Sequence, residues 1–159
     1  MGERISAAAV TVSDTRKAAD DLSGDRLCEL MVADGIEVAD RRIISDEPDA
    51  ISAILVELAE SGVDLIITTG GTGSAPRDNT PEATLRVIEK ETPGISEALR
   101  RETAARHPMA MLSRGVSGIR GNTLIINFPG SPRGVEEYYD VLRPVLRHAI
   151  ELIRGNTGH

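Results

Sequence analysis

The chain has 159 residues, of which 40% are hydrophobic and 27% are charged, and its formal net charge is −7 at pH 7. This composition is typical of a globular protein and argues against a disordered chain. The acidic balance and the small aromatic content of 2% argue against nucleic-acid binding, which needs cations for phosphates and rings for stacking. We expect one domain over residues 1–159, because a chain of this size supports a single hydrophobic core.

Three features of the sequence bear on its location. The longest apolar runs are far shorter than the roughly 20 residues of a membrane span. Residues 1–6 lack the basic and apolar segments of a secretory signal. Cys28 is the single cysteine and cannot form an internal disulfide, which fits a reducing compartment. The sequence therefore predicts a cytoplasmic protein with no membrane partner.

The first half of the chain predicts three strands separated by two helices. Residues 5–12 (ISAAAVTV) form a continuous apolar run, typical of a strand buried on both faces. Two arginines within residues 38–44 indicate a more exposed edge strand. Apolar side chains recur at helical spacing over about residues 23–34 and over residues 48–61, which predicts the two helices. Residues 64–69 (DLIITT) predict a third buried strand.

Two helices are predicted next. The first starts at Pro81, because Thr80 can cap it and proline suits the first helical position. It ends at the break formed by residues 92–94 (TPG). The second is expected over about residues 95–106.

The last part of the chain predicts strands followed by a long helix. Glycines at both ends of residues 115–121 predict a turn, with a short strand around residues 116–119 as an option. Residues 123–128 (TLIINF) predict a buried strand. Ser131 can cap the final helix, in which Pro144 should cause a kink or mark a join between two helices. Residues 155–159 predict a frayed tail.

The alternation of strands and helices predicts a three-layer α/β/α sandwich with a mostly parallel sheet. In such sheets, ligands bind beyond the carboxyl ends of the strands. Polar or glycine-rich segments follow three of the predicted strands, at residues 13–14, 70–73 and 129–132. If these strands are neighbours, the three segments meet at one cleft.

The glycine-rich segment at residues 70–81 (GGTGSAPRDNTP) carries the strongest chemical signal. Its three glycines, Gly70, Gly71 and Gly73, allow the backbone to approach an anion and offer N–H groups. Thr72 and Ser74 add hydroxyl donors, Arg77 can clamp a phosphate, and Asp78 can hold Mg²⁺ against phosphate oxygens. The segment matches neither a P-loop nor a dinucleotide fingerprint. The alternative is a structural turn with a solvent-facing Asp78.

Further candidate residues each have a structural alternative. Asp46 lies between a strand and a helix, so it is either a site carboxylate or a helix cap. Asp14 is either a site residue or the cap of a short turn. Ser131 caps a helix and can also contact an anion. Ser113 and Arg114 can present another anion contact, and the alternative is that Arg114 is simply exposed.

Taken together, these motifs resemble the molybdopterin adenylyltransferase family, which includes MogA, MoaB and the G domain of gephyrin. The resemblance runs from about residue 5 to residue 153. The motifs that carry it are residues 12–14 (VSD), 68–73 (TTGGTG), 77–78 (RD), 80–84 (TPEAT), 93–94 (PG), 112–114 (LSR) and 127–132 (NFPGSP). One departure is Ser74-Ala75, in a stretch that varies within the family, which bears on fine specificity.

The resemblance implies a three-layer fold that is usually trimeric. It implies transfer of AMP from Mg·ATP to the terminal phosphate of molybdopterin, giving adenylylated molybdopterin and pyrophosphate. Asp46 and Asp78 occupy the two acidic positions, and we expect Asp78 to bind Mg²⁺ and Asp46 to orient the pterin or the metal. The resemblance and the loop chemistry together give the candidate substrate-binding residues: Ser13, Asp14, Gly70, Gly71, Thr72, Gly73, Ser74, Arg77, Thr80, Ser113, Gly130 and Ser131.

Two other functions stay open on the sequence. The chain is alternatively a non-catalytic paralogue that binds molybdopterin, because a retained fold does not prove turnover. It is otherwise another pterin- or nucleotide-processing enzyme on the same fold, such as a molybdenum insertase domain or a competence-damage protein. The insertase is also a candidate partner.

Overall fold

The computed structural model describes residues 2–158, so Met1 and His159 lie outside the described residues. Within that range, helices and strands alternate over the first half of the chain. The strands are β1 (Ser6–Val12), β2 (Glu37–Ile44), β3 (Leu65–Thr69), β4 (Lys90–Glu91), β5 (Ser117–Arg120) and β6 (Thr123–Phe128). The helices are α1 (Leu22–Ala33), α2 (Pro48–Glu60), α3 (Thr80–Leu85), α4 (Pro93–Ala104) and α5 (Pro132–Ile153), with 3₁₀ turns at Ala18–Asp20 and Pro108–Leu112.

The six strands form one sheet in the order β2-β1-β3-β6-β5-β4. The strands β2, β1, β3 and β6 pair in parallel with their neighbours. β5 pairs antiparallel with β6, and β4 pairs antiparallel with β5. The predicted mostly parallel sheet and the predicted edge position of β2 are therefore confirmed. Because β1, β3 and β6 are adjacent and parallel, the segments that follow them leave the same edge of the sheet.

The sheet is covered by helices on both faces, which confirms the three layers. Successive side chains of a strand point to opposite faces, and two separate core clusters follow this alternation. In β3, Leu65 and Ile67 pack in one cluster with residues of α1, α4 and α5. Ile66 packs in the other cluster with residues of α2 and α3. Among residues 2–158, no helix is long and apolar enough to span a membrane.

A buried carboxylate connects β1 to α1. Asp21 is the N-cap of α1 and accepts a hydrogen bond from Gly24 N at 3.1 Å. Its other oxygen accepts from Thr11 Oγ1 at 2.6 Å and from Arg41 Nη2 at 3.1 Å. Burial alone raises the pKa of Asp21, but these donors outweigh burial and lower it below its usual range. The capping residue fixes where α1 begins.

The helix predicted from Pro81 to the break at residue 92 is much shorter than expected. α3 ends at Leu85, and Lys90 and Glu91 pair with β5. Gly118 of β5 permits this pairing, because a Cβ there would lie 2.7 Å from the Lys90 carbonyl oxygen. Sheet pairing at this edge therefore overrides the helical preference of the segment, and β4 went unpredicted.

α5 is one helix through Pro144, so the predicted join between two helices is wrong. Tyr138, Leu142, Leu146 and Ile150 are buried on both sides of the proline. Their packing at intervals of four residues keeps both halves of the helix on the sheet. Beyond α5, Asn156 N donates to Glu151 O at 3.0 Å. A frayed tail was predicted over residues 155–159, of which His159 lies outside the described residues.

Candidate functional site

The glycine-rich loop, which we define as residues 70–79, follows β3 at the centre of the parallel strands. Gly70 N donates to Phe128 O at 3.2 Å, at the end of β6. A Cβ at Gly130 would lie only 3.2 Å from Gly70 Cα, so the segments after β3 and β6 are in close contact. Arg16, in the segment after β1, donates to Gly130 O at 2.9 Å. The segments after the three neighbouring strands therefore meet, as predicted.

Four consecutive carbonyl groups of the loop are held by two residues. Thr80 donates from its Oγ1 to Gly70 O at 3.0 Å and from its backbone N to Gly71 O at 3.1 Å. Arg114 donates from its backbone N to Thr72 O and from its Nε to Gly73 O, both at 2.8 Å. The loop conformation from Gly70 to Gly73 is thus set by donors outside this stretch.

The hydrogen bonds to these four carbonyl groups also fix the direction of the four N–H groups that follow them, those of residues 71–74. In a trans peptide, the C=O and N–H bonds point in opposite directions, and none of the described peptide bonds is cis. The N–H groups of residues 71–74 therefore point away from the groups that hold the preceding carbonyls. Within residues 2–158, none of the four has a hydrogen-bond acceptor. Such a row of N–H groups suits an anion.

The glycines are required by this conformation. Gly70 and Gly71 have φ values of 93° and 69°, in the left-handed region that other residues rarely adopt. A Cβ at Gly70 would lie 2.6 Å from Val12 O, and one at Gly71 would overlap Thr80 Oγ1. At Gly73, a Cβ would lie 2.8 Å from Asp78 Oδ2. Because these glycines have no side chain, the backbone of β1 can approach Gly70, and the carboxylate of Asp78 can approach Gly73.

Thr80 does not cap α3, contrary to the prediction. Asn79 occupies the N-cap position without a side-chain capping bond, and Thr80 is the first helical residue. Its buried hydroxyl donates to Gly70 O instead. Thr80 therefore shapes the loop from within the helix.

Three carboxylates lie around the loop. The Asp78 carboxylate accepts from Ala75 N at 2.9 Å. Asp46 is half-buried, and its Oδ1 lies 3.5 Å from the Cβ position of Gly71. Asp46 N donates to Asp14 Oδ1 at 3.1 Å. Burial and the neighbouring Asp14 carboxylate raise the pKa of Asp46. Asp46 does not cap α2, because Glu47 holds the N-cap position.

Arg77 contacts carboxylates in this structure. Its Nε and Nη2 donate to both oxygens of Asp14, at 2.7 and 2.9 Å, and its Nη1 donates to Glu47 at 2.9 Å. The hydrogen bond from Arg77 lowers the pKa of Asp14. The phosphate clamp predicted for Arg77 would require at least one of these ion pairs to open.

A cleft of about 340 Å³ lies beside the loop. Its polar lining includes Thr72, Ser113 and Ser131, and exposed apolar side chains, including Met109 and Leu112, lie along it. Ser131 Oγ accepts from Gly134 N at 3.1 Å, which confirms its role as the N-cap of α5.

Among the described residues, the side chains of Ser13 and Ser74 make no hydrogen bond with the loop or with the residues that line the cleft. Ser13 Oγ accepts from Arg16 N at 3.1 Å and so closes the turn after β1. Ser74 is exposed, and no hydrogen bond joins its side chain to the rest of the described chain. Ser13 acts on the turn geometry, whereas Ser74 contributes its backbone N–H to the row.

Two features around the loop went unpredicted. Asn127 is buried in β6, where its Nδ2 donates to Thr68 Oγ1 and to Thr84 Oγ1, both at 3.0 Å. Its Oδ1 accepts from Val116 N at 3.1 Å. An asparagine inside an apolar strand was the available signal. The contacts of Arg114 with the loop had no sequence signal, because they depend on residues 36 to 42 positions away.

The donor set fits Mg²⁺ that arrives with a phosphate ligand. Mg²⁺ favours oxygen ligands and is commonly bound by one or two carboxylates together with substrate phosphates. Asp46 and Asp78 offer such carboxylates beside the loop. Among residues 2–158, no group of three or more His, Cys, Asp or Glu side chains is placed to hold a metal ion. These two carboxylates would supply only part of the coordination of a bound Mg²⁺.

Comparison with known proteins agrees with the resemblance seen in the sequence. Residues 8–148 match the family MoCF_biosynth, described as a probable molybdopterin binding domain. A molybdopterin adenylyltransferase of Helicobacter pylori is 44% identical over 115 residues, which cover 72% of this chain and 65% of that protein. The chain thus spans about two-thirds of that relative's length.

Two further relatives are covered almost completely. Molybdenum cofactor biosynthesis protein B of Staphylococcus aureus is 38% identical over 155 residues, covering 94% of this chain and 92% of that protein. The crystal structure of the molybdopterin biosynthesis enzyme MoaB of Thermus thermophilus superposes with a TM-score of 0.88 at 43% identity, covering 95% and 97% of the two chains. The chain therefore belongs to the MoCF_biosynth family of probable molybdopterin binding domains.

Proposed function

We propose that this protein is a molybdopterin adenylyltransferase of molybdenum cofactor biosynthesis. It transfers AMP from ATP to the terminal phosphate of molybdopterin, giving adenylylated molybdopterin and pyrophosphate. The observation that carries the proposal is the row of unpaired N–H groups at residues 71–74, which suits the phosphates of both substrates. The similarity to a molybdopterin adenylyltransferase of Helicobacter pylori supports the choice of reaction.

The reaction places one phosphate against another. An oxygen of the molybdopterin phosphate attacks the α-phosphorus of ATP, the bond from that phosphorus to the bridging oxygen breaks, and pyrophosphate leaves. The two reactants repel each other, so the site must neutralise and align them. The N–H groups of residues 71–74 bind phosphate oxygens, and the cleft beside the loop has a volume typical of small-molecule sites. No covalent protein nucleophile is needed.

Asp46 and Asp78 would hold Mg²⁺ on the phosphates. The ion, when bound, neutralises charge that develops on the phosphate oxygens. Asp78 is positioned for this by its hydrogen bond from Ala75 N. Burial and the neighbouring Asp14 carboxylate raise the pKa of Asp46, and a cation held there would favour its ionised form.

Pyrophosphate release from ATP tests the proposed reaction. With the full chain, we expect release only when ATP, molybdopterin and Mg²⁺ are all present. Asp78→Asn should lower turnover at limiting Mg²⁺ by about 100-fold, since it removes a charged ligand from the ion. Asp140→Asn, at an exposed carboxylate on α5 that pairs with Arg143, is the matched control and should leave turnover unchanged.

The other results point to specific alternatives. Molybdopterin binding without pyrophosphate release would identify a binding-only paralogue. ATP hydrolysis that needs no pterin would mean another phosphate-transfer enzyme on this fold. Near wild-type turnover of Asp78→Asn at limiting Mg²⁺ would refute the metal role of Asp78.

We further propose that the protein is a homotrimer. An apolar groove of about 540 Å³ between α4 and α5 supports self-association. Val145 and Leu152 line it and are 51% and 48% exposed, which is unusual for a surface that stays in water. Light scattering at micromolar protein should give three times the 17.0 kDa of one chain. A mass of one chain would refute the trimer.

The remaining assignments rest on the family. We propose a cytoplasmic location and a molybdenum insertase as the partner that receives the adenylylated product. A single domain over residues 1–159 also stays a prediction.

A further inference from the structure

Arg114 makes a set of contacts that differs from both roles predicted for it. Its side chain is 39% exposed, yet every nitrogen of the guanidinium has a partner. Nε donates to Gly73 O at 2.8 Å, Nη2 donates to Asp78 O at 2.7 Å, and Nη1 pairs with the Glu82 carboxylate. Three of the five guanidinium N–H donors of Arg114 therefore have protein acceptors, which is not the arrangement of a free surface arginine.

These contacts connect two parts of the loop, residues 72–73 and Asp78. Thr72 and Gly73, which receive the backbone N and the Nε of Arg114, provide the carbonyls opposite the N–H groups of Gly73 and Ser74. Asp78, whose carbonyl receives Nη2, carries the carboxylate proposed to hold the metal. One guanidinium thus holds the backbone beside the N–H group of Ser74 at a fixed distance from the backbone of Asp78.

We infer that Arg114 is a positioning residue that orients the loop N–H groups of Gly73 and Ser74 toward phosphate, with Glu82 fixing its guanidinium. This inference rests on the proposed phosphate chemistry of the loop. It concerns how the site is built and does not require Arg114 to touch the substrate.

The geometry explains why arginine stands at this position. The three side-chain partners each accept from a different nitrogen of one planar group, and a rigid fork of N–H donors can meet them together. A lysine keeps the charge but has one nitrogen, so it cannot hold two backbone carbonyls and a carboxylate in this arrangement. Glu82, in the first turn of α3, connects the guanidinium to the helix that follows the loop.

Binding of inorganic pyrophosphate with Mg²⁺, measured by calorimetry on the full chain, tests the inference. We expect Arg114→Met and Arg114→Lys each to raise the Kd by about tenfold or more, which corresponds to about 1.4 kcal/mol. Retained affinity in Arg114→Lys, with loss in Arg114→Met, would mean that charge alone matters and would overturn the inference.

Glu82→Gln separates positioning from direct attraction. Removal of a negative charge near the loop should tighten anion binding if Arg114 acts by charge. If Glu82 holds the guanidinium in place, the same change should weaken binding severalfold. Tighter binding by this variant would contradict the inference.

Arg154→Met is the control for a purely structural arginine. Arg154 makes a comparable set of contacts, with Asp64 at 2.7 and 2.8 Å and with Arg4 O at 2.7 Å. Arg4 precedes β1 and Asp64 precedes β3, so these contacts lie at the amino ends of the strands, whereas the loop lies at their carboxyl ends. We expect Arg154→Met to lower the thermal midpoint and leave the Kd unchanged.

The inference and the proposed reaction fail in different ways. Unchanged Kd in Arg114→Met, or no pyrophosphate binding by the wild type, would overturn the inference. Pyrophosphate binding that follows the expected pattern, without any adenylyl transfer, would refute the proposed reaction and leave the role of Arg114 supported.

Discussion

Gly70→Ala is expected to lower the free energy of unfolding by about 3 kcal/mol and to remove pyrophosphate binding by the loop. The residue has a φ of 93°, and a Cβ there would lie 2.6 Å from Val12 O. That oxygen belongs to β1, which is paired on both sides by β2 and β3, so it cannot move away cheaply. Urea denaturation and calorimetry with pyrophosphate measure the two effects.

Gly62→Ala is the matched control for the backbone strain alone. Gly62 has a φ of 91°, and a Cβ there would meet nothing within 4 Å. We expect a loss of about 1 kcal/mol and unchanged pyrophosphate binding. Equal losses of stability in the two variants would mean that the close approach to Val12 is not the reason for glycine at position 70.

Asn127→Ala is expected to lower the free energy of unfolding by about 3 kcal/mol, because it leaves several buried polar groups without partners. Asn127 is buried and joins the hydroxyls of Thr68 and Thr84 to the backbone N–H of Val116. Thr68 precedes the loop in β3 and Thr84 lies in α3 after it. The variant should therefore also weaken pyrophosphate binding, which calorimetry measures.

The neighbouring asparagine provides the comparison. Asn122 lies in the exposed turn between β5 and β6, and Asn122→Ala should change stability by less than about 0.5 kcal/mol. A similarly small change in Asn127→Ala would show that the buried hydrogen bonds are replaced by others. Loss of stability without any change in pyrophosphate affinity would confine Asn127 to a structural role.

Local patterns were sufficient for most of the fold. Continuous apolar runs identified β1, β3 and β6 as buried strands, since only a strand covered on both faces has no polar side. The arginines in residues 38–44 identified an edge strand, because a charged side chain there reaches water. The glycine-rich loop was located from its clustered glycines, which allow positive φ values and a close approach of the backbone.

The errors have a common origin in contacts between distant residues. Lys90 and Glu91 leave the helical pattern because β5 offers them hydrogen-bond partners. α5 continues through Pro144 because apolar residues on both sides pack on the same core. Local spacing predicts that Thr80 caps α3, but its hydroxyl donates to Gly70 O, ten positions away.

The sequence by itself determined the three-layer architecture, the family and the loop at which phosphate chemistry is proposed, because these depend on residue types at short spacing. Only the tertiary structure decided what individual polar side chains do there. Arg77 pairs with Asp14, 63 positions away, and Arg114 holds Gly73 O, 41 positions away. The physical reason is that a hydrogen bond depends on the distance and direction between two atoms, which folding alone brings together.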